Sequence, residues 1–197
     1  RRQLRSRFHR FGEQHLERCV FIVHRGERPI DHIVFDRSLD PDRAVQHCHE
    51  MLALARSLRH RFSLAIALNV AATVHALCGT WTVAYALVDE GLVLCEEQGF
   101  PVWLAYGQIM HGWMGAQRGD GEHALGELQR GIVAWEQTGA RVMRSFFLSL
   151  KGQACRKLGR TADGLLAVEE ALATVAHGDE QFCTAELWRL RGEFVLR

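Results

Sequence analysis

Residues 72–99 read ATVHALCGTWTVAYALVDEGLVLCEEQG, and two later stretches offset by 40 residues each follow the same plan: GWMGAQRGDGEHALGELQRGIVAWEQTG at 112–139 and GQACRKLGRTADGLLAVEEALATVAHGD at 152–179. Turn glycines recur at Gly79, Gly119 and Gly159. Seven residues before each stands a small residue, Ala72, Gly112 and Gly152, and one period further on this column reaches Gly192. Five residues after each turn stand Ala84, Ala124 and Gly164. Twelve after stand Gly91, Gly131 and Ala171. A second glycine recurs at Gly99 and Gly139. Self-similarity at a fixed period of this size is the signature of a stacked repeat in which each unit is one supersecondary element.

Each unit reads as two helices. The pattern predicts helices over 63–78 and 81–98, 102–117 and 121–137, and 141–157 and 161–176, with a last helix over 181–196 that has no partner. Ala84, Leu87, Val88, Gly91, Leu92 and Cys95 fall on one helical face. The turn glycines supply the positive φ that ends a helix, and Thr80 and Asp120 stand at N-cap positions. Two helices joined by so short a turn pack antiparallel, and small residues are wanted where they cross. One hairpin alone leaves apolar surface exposed, and stacking hairpins buries it. The unpartnered last helix and the absence of an initiator Met read as a segment of something longer.

Working backwards, Ala44 falls in the Ala84 column, and Asp40-Pro41 opens a helix over 41–58 that carries Val45, Cys48, Leu52 and Ala55. Its expected partner, 25–39, is interrupted by Gly26 and Pro29, and Arg59 stands where a glycine is expected. Residues 1–24 fit no repeat. Leu4, Phe8 and Phe11 make a helical stripe, and Cys19-Val20-Phe21-Ile22-Val23, although β-branched, is assigned to the same helical region. The organisation expected is therefore a poorly matched helical region over 1–43 and a repeat array over 44–197, with units at 65–104, 105–144 and 145–184 and a partial unit at 185–197.

Composition narrows the function. With 24 basic and 23 acidic residues the formal charge is +1, which gives no global pull toward nucleic acid or an anionic membrane. Five arginines in the first ten residues (Arg1, Arg2, Arg5, Arg7, Arg10) read as the polar face of the Leu4–Phe8–Phe11 helix rather than as a nucleic-acid arm. No apolar run is long enough to span a bilayer and no secretory signal is visible. The six cysteines are scattered without a C-x-x-C pair, as expected of small buried hydrophobes in a reducing cytoplasm.

Small residues at unit positions 8, 20 and 27 with a glycine turn at 15 resemble the tetratricopeptide repeat, whose usual period of ~34 residues is shorter than the period of this chain. A narrower resemblance lies in Glu97-Gln98-Gly99-Phe100-Pro101-Val102-Trp103-Leu104-Ala105, followed by Gly107 and Gly112-Trp113, and in Ala185-Glu186-Leu187-Trp188-Arg189-Leu190-Arg191-Gly192-Glu193. These segments resemble the repeat region of large bacterial signal-transduction ATPases, in which an adenylate/guanylate cyclase or transcriptional-activator domain precedes a nucleotide-binding module and the repeats. The resemblance implies an all-α superhelix of stacked antiparallel helix pairs, acting as a sensor or partner-binding arm.

Chemistry is sparse. There is no phosphate loop, no dinucleotide fingerprint, no nucleophile elbow and no H-E-x-x-H. His47 and His49 bracket Cys48, but on a helix they point about 200° apart and cannot chelate one ion together. The residue one turn after His49 is Ala53. His75 and His111 read as packed or hydrogen-bonded. No catalytic residue, cofactor or metal is expected. The remaining candidate is the groove lined by first helices at unit positions 2, 5, 9 and 12. Asn69, Tyr106, Trp113, Gln153, Arg156 and Arg189 stand there, as do Phe146, Glu186 and Glu193, with Tyr106 and Trp113 as apolar anchors. The function expected is a scaffold for a protein or peptide partner. A self-association module forming a homodimer and a small-molecule sensor remain as alternatives.

Overall fold

The computed structural model describes residues 21–23, 33–35, 41–140, 142–176 and 183–196. Two short strands, β1 (Phe21–Val23) and β2 (Ile33–Phe35), come first. They are followed by helices α1 (Pro41–Ser57), α2 (Arg61–Leu77), α3 (Trp81–Gln98), α4 (Pro101–Arg118), α5 (Gly121–Gln137), α6 (Arg144–Lys157), α7 (Thr161–Ala176) and α8 (Thr184–Val195). Among the described residues the secondary structure is all-α apart from the two strands, and sequential helices pack in pairs. It forms two compact units, one ending at Gly107 and the other starting at Gln108, a division that falls inside α4.

The glycine turns do what the spacing predicts. Gly79, Gly119 and Gly159 have φ of 75°, 103° and 73°, and the amide after each reaches back five residues. Thr80 N–H donates to the His75 carbonyl at 2.9 Å, Asp120 N–H to Gly115 at 3.0 Å and Arg160 N–H to Cys155 at 2.9 Å. This bond satisfies a carbonyl that the helix end would leave open. Gly99 and Gly139 also have positive φ, 67° and 81°. Arg59, one period before Gly99, holds φ at 51° although it is not glycine. The chain therefore takes the left-handed conformation in this column with arginine at 59 as it does with glycine at 99 and 139.

In the first unit α2 packs between α1 and α3, and its alanines 65, 67, 71 and 72 are fully buried. In the second unit α6, α7 and α8 share a core of Leu148, Val168, Ala171, Leu187, Leu190 and Phe194. Small residues mark the crossings. A Cβ on Gly112 would lie 2.4 Å from the Leu128 amide nitrogen, and a Cβ on Gly164 would lie 2.2 Å from the Phe194 ring. The surface ion pairs, such as Arg56–Glu90 at 2.8 Å, are exposed and contribute ~0–1 kcal/mol each.

Several expectations are corrected. Phe21–Val23 is not helical: it pairs antiparallel with Ile33–Phe35 in the register Phe21↔Phe35, Ile22↔Val34, Val23↔Ile33. The β-branched run was a strand signal, and within the helix expected over 25–39 the described residues, Ile33–Phe35, form β2 instead. The rest of that N-terminal reading, including Leu4, Phe8, Phe11, the five arginines and Cys19, lies outside the described residues. Helix α6 begins at Arg144 rather than 141, after Met143 at φ 68°. Neither Thr80 nor Asp120 makes a side-chain cap bond. Thr80 Oγ1–H donates instead to the His75 carbonyl at 2.9 Å. His60 does cap its helix: its Nδ1 accepts from the Ser63 amide at 3.3 Å.

Candidate functional site

The six groove candidates fall into two sets, one in each unit. In the first, Asn69 on α2 and Tyr106 on α4 are closed off: Asn69 has no exposed surface and Tyr106 is 2% exposed. Asn69 Nδ2–H donates to the Ala65 carbonyl at 2.9 Å, and Thr73 Oγ1–H to the Asn69 carbonyl at 2.9 Å. With its hydrogen so placed, Thr73 Oγ1 accepts from Tyr106 O–H at 3.0 Å. This corrects the expectation of a partly exposed polar and aromatic surface at 69 and 106. The two side chains bond α2 to α4, two successive first helices.

In the second unit Trp113 is likewise 2% exposed, so it is not an accessible anchor. The reason is geometric. Successive first helices pack close enough for position 9 of one to meet position 9 of the next, and Trp113 Nε1–H donates to Gln153 Oε1 at 3.1 Å. The same sequence period serves a groove-facing residue and an inter-helix contact, so spacing alone does not separate them.

From Gln153, itself buried, a polar string runs outward. Its Nε2–H donates to Glu186 Oε1 at 3.2 Å. Arg189 grips Glu186 with two parallel bonds, Nε to Oε2 and Nη2 to Oε1, both 2.6 Å, the bidentate geometry that charge-assisted pairs favour. Arg189 Nη1 also donates to Glu193 Oε1, and Glu193 Oε2 lies 3.3 Å from Arg156 Nε. That last pair is an ion contact without hydrogen-bond alignment. The bond to Glu186 is the main cause that raises the Arg189 pKa above its ordinary value, with burial opposing it. Arg156, Glu186, Arg189 and Glu193 all keep part of their surface in solvent. Two arginines against two glutamates make the string neutral, with donors and acceptors side by side along its open edge.

Glu186 and Glu193 belong to this site, and their spacing of seven on the face that carries Arg189 was the signal for them. Glu127 is engaged as well: both its oxygens lie 2.9 Å from His111 Nδ1. His49 has a neighbour that its own helix did not reveal, the ring of His75 at 5.7 Å. Burial, and after it the His49 charge, lower the His75 pKa. Burial also pushes the Cys48 thiol up to about 12 and those of Cys78 and Cys95 to about 11. At neutral pH these three are thiols, not the thiolates that nucleophilic attack or metal ligation uses. Among the described residues no three His, Cys, Asp or Glu side chains are grouped to hold a metal, and no helix is long and apolar enough to cross a membrane.

No protein-family model matches this chain, and none of the curated proteins matches it in sequence.

Proposed function

We propose that this chain is a non-catalytic helical-repeat scaffold that binds a polypeptide partner, as the regulatory arm of a larger cytoplasmic bacterial signalling ATPase or transcriptional regulator. One observation carries the binding part: the string Trp113–Gln153–Glu186–Arg189–Glu193–Arg156 starts in a buried core contact and ends in partly exposed charge. Held at its inner end, the string pre-organises its outer groups and lowers the entropy lost on binding. Its balanced charge suits a peptide backbone, with alternating carbonyl and amide groups, better than a polyanion. The parent-protein part rests on the resemblance of 97–105 and 185–193 to the repeats of signalling ATPases.

The test is affinity capture from lysate of the source cells with quantitative mass spectrometry, comparing the parent chain with Arg156→Glu and with the exposed control Gln129→Ala. The scaffold reading expects a defined set of proteins to be captured by the parent chain and by Gln129→Ala, and reduced at least tenfold by Arg156→Glu. Identical capture by all three forms contradicts it.

A further inference from the structure

His75 lies in the last turn of α2, and its hydrogen bonds fix which ring nitrogen carries the proton. Thr80 Oγ1–H donates to the His75 carbonyl at 2.9 Å. The same oxygen, 2.8 Å from Nδ1, therefore accepts, and Nδ1 is the N–H. Nε2 is left as a bare lone pair, buried and without a hydrogen-bond partner, in a residue only 3% exposed. The ring beside it is His49 of α1, with the two centroids 5.7 Å apart. The other groups of α1 are turned elsewhere. Asp42 acts on Cys78, and Glu50 is met by Gln46 at 3.0 Å and His47 at 3.5 Å. From α3, Ala84, Leu87 and Val88 face inward, and α4 meets α2 through Tyr106, bonded to Thr73. The buried thiols of Cys48 and Cys78 are protonated and neutral.

We propose that the His49–His75 pair is an acid-sensitive latch: in mild acid the two protonated rings push α1 off α2 and bare Cys48, while the second unit stays folded. A proton on Nε2 creates a buried cation whose new N–H has no acceptor, which is costly, and a like charge on His49 faces it. Helix α1 is the element that yields. The Nδ1–H bond to Thr80 serves the charged ring as well as the neutral one, so His75 stays seated against the α2–α3 turn. Helix α1 is held to α2 by a small buried set, Ala44, Cys48, Met51, Leu52 and Ala55. Its tie to α3 is the exposed Arg56–Glu90 pair, which contributes little. Burial, and after it the His49 charge, hold the His75 pKa below the ordinary 6.5. Below that pH the released ring binds a proton that the seated ring refuses, so opening is favoured as pH falls. The latch involves none of the residues of the string on α6 and α8, so it stands or falls separately from the binding proposal.

The test labels the thiols of the 197-residue chain with dithiodipyridine, which reacts in acid as well as at neutral pH, and reads each cysteine by peptide mass spectrometry. Cys48 on α1 reports the latch, and Cys155, fully buried on α6, reports the second unit. Taking the ratio of the two rates at one pH cancels the reagent's own pH dependence. The latch predicts a Cys48-to-Cys155 ratio that rises at least about fivefold between pH 7.5 and pH 5.0. His75→Gln, which can still donate to Thr80 but does not titrate, should hold the ratio flat. His49→Gln, at an exposed position that tolerates exchange, should reduce the rise at least about twofold. A ratio that does not change with pH in the parent chain overturns the proposal. So does a parallel rise at Cys48 and Cys155, which is global unfolding rather than release of α1. A full rise in His75→Gln shows that His75 is not the sensor. If His75→Gln does not fold at pH 7.5, His49→Gln decides alone, and a rise equal to that of the parent chain overturns the paired-charge latch.

Discussion

Residue 112 shows how little tolerance a hairpin crossing has. A methyl group there meets the Leu128 amide nitrogen at 2.4 Å and the Ala124 carbonyl oxygen at 2.8 Å; both are backbone atoms that no rotamer change can move aside. Gly112→Ala is therefore expected to destabilise the fold by about 1–3 kcal/mol despite its better helix propensity. Urea unfolding measures this, and an unchanged midpoint would remove residue 112 from the crossing. His75 sets a second expectation. Its Nδ1–H donates to Thr80 Oγ1 at 2.8 Å, and its buried Nε2 has no partner, so the folded state keeps the ring neutral. The unfolded chain protonates it near the ordinary 6.5, so below that pH the unfolded state binds more protons. Stability should fall as pH drops from about 6.5 toward the lower folded-state value, and His75→Gln should show a shallower fall. Equal slopes from thermal melts at pH 7.5 and 5.5 would contradict it.

At the scale of helices, most of the plan was legible because it rests on local geometry. Helix α3 runs Trp81–Gln98 and α5 Gly121–Gln137, as the period predicts, since glycine turns and apolar spacing act within a few residues. What was missed depends on neighbours distant in sequence. Phe21–Val23 became a strand through Ile33–Phe35, and Trp113 was buried by Gln153. A groove-facing aromatic and a core aromatic share one helical position, and only packing decides between them. Trp113 now belongs to the contact between α4 and α6. Trp113→Ala is expected to cost ~3–5 kcal/mol of stability. Trp113→Phe, which keeps much of the ring but leaves the Gln153 oxygen without its donor, is expected to cost ~1–3 kcal/mol. Chemical denaturation of both variants measures this, and two wild-type midpoints would return Trp113 to a binding role.

For the whole chain, the first helices α2 and α6 are deeply buried, and open polar chemistry collects on α6 and α8. Only part of that was readable: Gln153, Arg156 and Arg189 were named from the sequence and do join one string, whereas Asn69 and Tyr106 serve packing inside the first unit. The difference follows from neighbours. Asn69 and Tyr106 meet another first helix, whereas the side chains of Arg156 and Arg189 keep part of their surface in solvent. If the chain is a scaffold that holds a polypeptide along this string, contact should be detectable at residue 156 in living cells. The most direct measurement is site-specific photocrosslinking with a benzophenone amino acid placed at Arg156 and, separately, at the exposed Gln129. A polypeptide scaffold predicts discrete higher-mass protein adducts from position 156 and none from 129. Labelling at 156 that yields no protein adduct, or the same adducts from both positions, would contradict it.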